Sequence, residues 1–140
     1  MEPKKDWYNE TYLKEMVKLV NKLGEHGIFT LVDFHQDIIS EKYCGDGVPT
    51  WLIDEIHGYK TFPFPWTIKK MPLNSSGLPN WSDCDQANWG KYYFAYDVGD
   101  TFNHLYNTNH HLHKKFVAYW KEIAKYLKGN PYVIAYELIN

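Results

Sequence analysis

Two apolar segments of strand length, each following an amphipathic helix pattern, constrain the fold of this chain most. The first is IFTLVDFH at residues 28–35, and the second is YVIAYELI at residues 132–139. Both are nearly continuous apolar runs with β-branched residues, which is the pattern of parallel strands buried on both faces. Buried strands that alternate with amphipathic helices predict parallel βαβ units and therefore an α/β fold.

Three helical segments are predicted around these strands. The first begins after Asn9, whose side chain can cap a helix, and it ends near Gly27, a residue type that commonly terminates helices. The second runs over about residues 87–106 and the third over about 110–128. The Gly129-Asn130-Pro131 sequence breaks the third helix before the second strand begins.

The stretch from residue 36 to about residue 86 has neither helical nor strand periodicity, and it holds all but two of the seven prolines. About fifty residues is too long for an ordinary connection, and a stretch of that length is usually functional or disordered. Its Trp51, Trp66 and Trp81 and many other aromatic residues favour an ordered, packed excursion.

Composition excludes several classes of protein. The chain is 44% hydrophobic and 23% charged, so it is neither disordered nor membrane-spanning in character. Its net charge is -2 and its basic residues form no stripe, so there is no reason to expect nucleic acid as a partner. Six tryptophans and twelve tyrosines point mildly to sugar binding, because flat aromatic rings stack on sugar rings as well as packing cores.

The two cysteines, Cys44 and Cys84, are consistent either with two free thiols or with a disulfide across a long loop, and the sequence does not choose between them. Three sequons begin at Asn9, Asn74 and Asn80. Two of them lie in one loop, which suits a secreted glycoprotein. The sequence therefore predicts a secreted or lysosomal location, with no leader peptide in the segment itself.

Polar side chains appear where each strand ends, and function collects at the carboxyl ends of strands in parallel α/β folds. Asp33, His35 and Asp37 alternate, so an extended strand would place them on one face. We interpret Asp33 as a buried structural acid and expect His35 and Asp37 to take part in a site, since a carboxylate can hold a histidine tautomer. At the second strand, Glu137 is interpreted as a supporting acid, and Asn140 lies at the tip.

A cluster of histidines at His110, His111 and His113 is not expected to bind metal. No carboxylate or cysteine stands beside it at ligand spacing, and it opens an amphipathic helix, so solvated side chains are predicted. The chain also has no nucleophile elbow, no CxxC pair and no dinucleotide fingerprint.

Four motifs together resemble one known family. LVDFHQD, GDGVPTW, YFAYDVGDTFNHLY and NPYVIAYELIN are similar, in order and spacing, to the endoglycoceramidase branch of glycoside hydrolase family 5. The resemblance covers nearly the whole chain. It implies part of a (β/α)8 TIM barrel, about strands three to four with their helices, and residues 1–140 as a partial catalytic domain that is truncated at both ends.

The resemblance also implies a chemistry and a set of site residues. The family hydrolyses O-glycosyl bonds with retention, using two glutamates, and needs no metal or cofactor. Asn140 matches the family's asparagine that binds the sugar 2-hydroxyl, just before the acid/base glutamate, so no catalytic residue lies within the chain. His35 and Asp37 would bind sugar hydroxyls, and Trp51 with its surrounding loop would line the substrate groove.

The implied substrate is a glycolipid or oligosaccharide, with the glycan–ceramide bond of glycosphingolipids as the bond that is cut. The aromatic excursion would accept the apolar aglycone and contact a lipid surface. Two alternatives stay open: a glucosylceramide, galactosylceramide or steryl-glucoside hydrolase or other β-glycanase of the same family, and a non-catalytic carbohydrate- or lipid-binding fragment. Residues 1–140 alone are expected to be inactive and to fold poorly, because a two-stranded sheet leaves its edges unpaired.

Overall fold

The computed structural model describes residues 1–56 and 58–140, which form two compact units. Unit 1 comprises Met1–Phe34 with Lys115–Asn140, and unit 2 comprises His35–Lys114. No helix in the described part of the chain is both long and apolar enough to cross a bilayer. The elements in chain order are α1 (Glu10–Glu25), β1 (Thr30–Asp33), a 3-10 helix (Glu41–Tyr43), α2 (Thr50–Ile56), α3 (Trp81–Cys84), a second 3-10 helix (Trp89–Phe94), α4 (Tyr96–Tyr106), α5 (His111–Leu127) and β2 (Val133–Glu137).

The ends of α1 follow the sequence signals. Asn9 Oδ1 accepts a hydrogen bond from the Tyr12 backbone N–H at 3.0 Å, which satisfies one of the donors that the first turn leaves open. Glu10 lies in the same turn, where the helix dipole favours a negative charge. Beyond the last turn, Gly27 adopts φ +76°, a left-handed conformation that side chains other than glycine rarely adopt. Both predicted ends of this helix are confirmed.

The predicted parallel pairing is confirmed in unit 1. β1 and β2 form a two-stranded parallel sheet in which Val32 pairs with Tyr136 and Asp33 with Glu137. The core on one side of the sheet is centred on Val20, Ile123 and Leu127 of α1 and α5, with Val32, Tyr119 and Val133 packed against it. The structure is thus a small α/β unit, which confirms the predicted fold class at that level.

The prediction that both strands are buried on both faces is wrong for this chain. Leu31 in β1 is 49% exposed and Ile134 in β2 is 66% exposed. Because strand side chains alternate, Val32 and Val133 pack into the helix-covered core while their neighbours point to the other face. The strands are also shorter than the apolar runs, since the run from residue 28 becomes a strand only over Thr30–Asp33.

The described residues of unit 2 fold without forming a β-sheet. Its interior is aromatic and aliphatic, with Tyr43, Phe62, Tyr92 and Ile53 fully buried. Cys44 and Cys84 form a disulfide with a Cα–Cα distance of 5.6 Å, which decides between the two alternatives left by the sequence. The excursion from residue 36 to about 86 is therefore packed, as predicted, although it contains α2 and α3, which its lack of periodicity did not indicate.

The helix predicted over residues 87–106 is two helices. A 3-10 helix ends at Phe94 and α4 begins at Tyr96, with the intervening Ala95 in an extended conformation at φ -70° and ψ 143°. Ala95 is almost fully buried, and the Tyr96 backbone N–H donates to the Phe64 carbonyl at 2.8 Å instead of continuing a helix. Tertiary contact therefore overrides the helical propensity of this stretch.

Asp97 in α4 is a buried carboxylate that orders the segment at residues 60–62. Its two oxygens accept hydrogen bonds from the backbone N–H groups of Lys60, Thr61 and Phe62 at 2.9, 2.8 and 3.0 Å and from the Thr61 hydroxyl at 2.7 Å. Burial acts to raise the pKa of Asp97, but the four hydrogen bonds favour the charged form and outweigh it, so the pKa lies below its ordinary value.

We predict that Asp97→Ala lowers the free energy of unfolding of unit 2 by about 3 kcal/mol at neutral pH, because it leaves one buried and three part-buried donors without an acceptor. Since the folded pKa is depressed, this stabilisation is fully present above the unfolded carboxyl's pKa near 3.8 and is lost as the pH falls below it towards the folded pKa. Denaturant titrations between neutral pH and about pH 3 should therefore show the gap to wild type closing. Asn103→Ala, an exposed position on the same helix, is the control and should change stability by less than about 0.5 kcal/mol.

We further predict that Cys44→Ser combined with Cys84→Ser lowers the free energy of unfolding of unit 2 by about 4 kcal/mol, the loop-entropy value for a bridge over 40 residues. Dithiothreitol should destabilise the wild-type chain by a similar amount and leave the double variant unchanged. Two titratable thiols in the oxidised, denatured wild-type chain would show that the bridge does not form.

Candidate functional site

The loop that follows β1 in the chain holds Asp37 in a strained backbone. The next two residues, Ile38 and Ile39, have φ of +52° and +63°, which β-branched residues rarely adopt. Both side chains are buried, and the Ile39 N–H donates to the Gln36 side-chain oxygen at 2.9 Å. Strain of this kind costs about 1–3 kcal/mol per residue and clusters at functional sites.

The GDG sequence at residues 45–47 closes this loop onto Asp37. The Asp46 N–H donates to the Asp37 carbonyl at 2.6 Å, and the Asp37 N–H donates to Asp46 Oδ1 at 2.9 Å. A Cβ at Gly45 would lie only 1.7 Å from the Asp37 carbonyl oxygen, so the approach requires glycine there. This motif therefore allows the backbone at residues 45–47 to approach the backbone at Asp37 closely.

His35, Asp37 and Asp46 form a polar cluster with Tyr93. His35 Nε2 lies 3.4 Å from Asp37 Oδ2, and the Tyr93 hydroxyl donates to Asp37 Oδ1 at 3.3 Å. The side chains of His35 and Asp37 are 60% and 43% exposed, so solvent and ligands can reach them. An imidazole and two carboxylates at this spacing can donate to and accept from the hydroxyl groups of a sugar.

The same cluster contains the types of side chain that bind metal ions. Ligand atoms of His35, Asp37 and Asp46 lie within 4.8 Å of one another, so the three side chains could hold a metal ion. Their closeness is already explained, however, by the loop closure through Asp46 and by the His35–Asp37 pair. We therefore propose no metal centre, and the sequence-based expectation of a metal-free site stays a prediction.

Asp37 also lines a cavity of about 770 Å³ within unit 2, large enough for a small oligosaccharide. Trp81 and Trp89 line it with 76% and 55% of their surfaces exposed, and flat exposed rings of this kind stack on sugar faces. The other polar lining side chains are carboxylates and amides, which accept from and donate to hydroxyls: Asp37, Glu41, Asp46, Asp85, Asn74 and Asn80. The Cys44–Cys84 disulfide forms part of the wall.

The structure brings together some of the predicted site residues. His35 and Asp37 are adjacent, but the prediction that strand alternation aligns them is wrong. The strand ends at Asp33, so the loop after it sets their positions. Trp51 lies in α2, not in a loop, is half-buried and is not among the residues that line the cavity. Asn140 belongs to unit 1, where it is exposed beyond the end of β2.

Trp81, Trp89 and Asp46 were missed as site residues. The only signal for the tryptophans was the high aromatic content of the chain, which does not say which rings stay exposed. Asp46 lies nine residues from Asp37, and only the loop closure shows that they meet.

The predicted histidine cluster is less solvated than expected. His111 Nε2 lies 3.2 Å from Glu55 Oε2, and His113 Nδ1 lies 2.9 Å from the Leu105 carbonyl oxygen. The ring centroids of His104 and His110 lie 4.0 Å apart. These contacts anchor the start of α5 within unit 2.

Comparison with known proteins supports the family suggested by the motifs. No protein-family model matches the chain. The chain is 40% identical to an endoglycoceramidase from Hydra vulgaris over 141 residues and 40% identical to one from Cyanea nozakii over 139 residues, each match covering 99% of the chain. The resemblance to endoglycoceramidases is confirmed.

Fold comparison gives the same result. The chain matches the solved endo-glycoceramidase II from Rhodococcus sp., recorded as a lactosyl-enzyme intermediate, with a TM-score of 0.70 and 25% identity over 99% of the chain. The chain spans about a quarter of the length of the curated relatives, 26% and 27%, and 29% of the solved protein.

We predict that Trp81→Ala and Trp89→Ala each weaken oligosaccharide binding at this cavity by about tenfold, corresponding to about 1.4 kcal/mol of lost stacking. Titration with lactose or a longer neutral oligosaccharide, followed by NMR or calorimetry, measures the loss. Phe94→Ala is the control, because Phe94 is as exposed, at 74%, but does not line the cavity. Equal losses in all three variants would contradict a stacking role.

Proposed function

We propose that this chain forms the part of a glycoside hydrolase that recognises the glycan of glycosphingolipids, in an enzyme that cuts the glycan–ceramide bond. The single observation that carries the proposal is the 40% identity to two endoglycoceramidases over nearly the whole chain. The cavity in unit 2 supports it, since exposed tryptophans beside carboxylates and amides suit a neutral polyhydroxyl ligand.

The mechanism proposed is retention of configuration in a (β/α)8 barrel of glycoside hydrolase family 5. A lactosyl-enzyme intermediate, recorded for the Rhodococcus protein, is the covalent species that retaining glycosidases form. The parallel β1–β2 pair with α1 and α5 is the kind of unit from which such a barrel is built, and we propose that these are strands three and four.

His35, Asp37 and Asn140 are proposed to bind sugar hydroxyls. In the His35–Asp37 pair, Nε2 of a neutral imidazole carries the proton, because it faces the acceptor oxygen of Asp37, and Nδ1 is left to accept a hydrogen bond from a sugar hydroxyl. An amide at Asn140 that binds the 2-hydroxyl would contribute to rate as well as to affinity, since that hydrogen bond strengthens as the oxocarbenium-like transition state forms. No acid or nucleophile is assigned within this chain.

A secreted or lysosomal location is proposed on independent grounds. The Cys44–Cys84 disulfide is of the kind that persists in oxidising compartments. Exposed aromatic side chains of unit 2 outside the cavity, such as Phe64, Phe94 and Tyr96, are proposed to contact the lipid surface that carries the substrate.

The proposal is tested in a chimaera in which residues 1–140 replace the matching stretch of the Hydra vulgaris endoglycoceramidase. We expect the chimaera to release an intact oligosaccharide and ceramide from a neutral glycosphingolipid. We expect His35→Ala and Asp37→Asn each to lower kcat/KM by about 100-fold, because each removes a hydrogen bond aimed at the sugar. His26→Ala, which changes an exposed histidine at the end of α1, is the control and should keep full activity.

Other outcomes favour other functions. Release of single glucose residues from glucosylceramide, without release of intact oligosaccharides, would favour the glucosylceramide-hydrolase alternative. A folded chimaera that binds oligosaccharide but cuts no substrate would favour the non-catalytic binding alternative, and one that neither binds nor cuts would contradict the proposed function.

A further inference from the structure

Two of the three sequons lie in the loop at residues 74–82 of unit 2, and they differ in the exposure and hydrogen bonding of their asparagines. Asn74 and Ser76, the first and third residues of one sequon, are both exposed. Asn74 lies in a turn in which its N–H donates to the Leu78 carbonyl at 2.8 Å and its own carbonyl accepts from the Gly77 N–H at 2.9 Å. A sequon in a rigid exposed turn of a secreted protein is an acceptor for N-linked glycan.

The hydrogen bonds at Asn74 leave the reactive atom available. Asn74 Oδ1 accepts from the backbone N–H groups of Ser76 and Leu78 at 2.9 and 3.3 Å, so the oxygen side of the amide holds the turn. The Nδ2 atom donates no hydrogen bond to another described residue. Because a glycosylated amide keeps its carbonyl oxygen, this turn can survive the modification.

The other two sequons differ at the same atoms. Asn80 Nδ2 donates to Asp83 Oδ2 at 3.2 Å at the start of α3, so its nitrogen is already engaged. Asn9 is half-buried and its side chain caps α1 through the Tyr12 N–H. Of the three, Asn74 alone combines full exposure with a free amide nitrogen in the described structure.

The disulfide supplies an independent reason to expect the modification. N-glycosylation and disulfide formation take place in the same oxidising secretory compartment, and the Cys44–Cys84 bridge closes the loop that carries both sequons. Asn74 and Cys84 both line the Asp37 cavity, so a glycan on Asn74 would stand at the edge of that cavity.

We propose that Asn74 is an N-glycosylation site and that its glycan projects from the rim of the Asp37 cavity. Asn74 Nδ2 attacks the anomeric carbon of a polyprenyl-diphosphate-linked oligosaccharide. The N–C bond forms as the bond from that carbon to the diphosphate oxygen breaks. The polyprenyl diphosphate leaves with the electron pair and takes up the proton that the nitrogen gives up, which is one of its two. Transfer of a glycan to Asn74 uses neither His35 nor Asp37, so it can be tested apart from the proposed hydrolase activity, although Asn74 lines the same cavity.

The test expresses the full chain behind a cleavable secretion leader in insect cells. Peptide mapping before and after treatment with a peptide-N-glycosidase in heavy-oxygen water shows which asparagines carried a glycan, since enzymatic release converts each into labelled aspartate. We expect Asn74 to be the main occupied position. Asn74→Gln and Ser76→Ala should each abolish its glycan, and Ser76→Ala leaves the Asn74 side chain in its turn as a check on folding.

The matched controls are the other two sequons. Asn80→Gln and Asn9→Gln should leave the glycan on Asn74 in place, and Ser76→Thr should also retain it. Glycan found on Asn80 or Asn9 with Asn74 unmodified would overturn the proposal. So would an unglycosylated chain whose leader has been removed, because leader removal shows that the chain entered the compartment where transfer occurs.

Discussion

The closure of the loop between Asp37 and Asp46 is the interaction on which the described site depends. Two short hydrogen bonds join the backbone of one residue to the backbone and side chain of the other. They hold the backbone of Asp37, whose carboxylate contacts His35 and Tyr93, next to Asp46, which lines the same cavity. Gly45 is required at the crossing because a side chain there would collide with the Asp37 carbonyl. The candidate site is thereby built on an irregular loop whose geometry is closely constrained.

Two long-range contacts join separate segments of unit 2, a role that strand pairing has in most α/β domains. The Cys44–Cys84 bridge joins segments 40 residues apart, and Asp97 joins α4 to the backbone at residues 60–62. Asp97 satisfies several backbone donors at once, which is why its burial is compatible with a negative charge. The result is a long excursion that is folded and can hold a cavity.

The sequence predicted the regular elements better than it predicted the site. Cap and terminator residues at Asn9 and Gly27 act locally, so α1 could be placed from the sequence alone. Apolar runs showed that β1 and β2 exist and are parallel, but not how many faces would be covered, because burial depends on what else packs there. The break at Ala95 and the meeting of Asp37 with Asp46 arise from tertiary contacts, which have no signature within a short window of sequence.

The positions of the candidate site residues depend on contacts that their local sequence does not show. His35 and Asp37 are two residues apart and were expected to lie together, yet the strand that was to align them ends at Asp33. Trp51 was selected from a motif and lies in a helix, whereas Trp81 and Trp89 line the cavity although no motif singled them out. An aromatic residue in an irregular stretch packs or stays exposed according to its neighbours in space, so the sequence reveals the abundance of rings and not their roles.

The backbone strain at Ile38 and Ile39, next to Asp37, is offset by the burial of their side chains. Left-handed Ile38 and Ile39 each cost about 1–3 kcal/mol, while burying an isoleucine side chain contributes about 1.5–3 kcal/mol. The two terms are of the same size, so the unusual backbone persists because both side chains are almost completely buried. Glycine at either position would relieve the strain but lose the burial, and the loop would then be held by its hydrogen bonds, such as those between Asp37 and Asp46. The isoleucines therefore stabilise an orientation of Asp37 that the backbone would not adopt by itself.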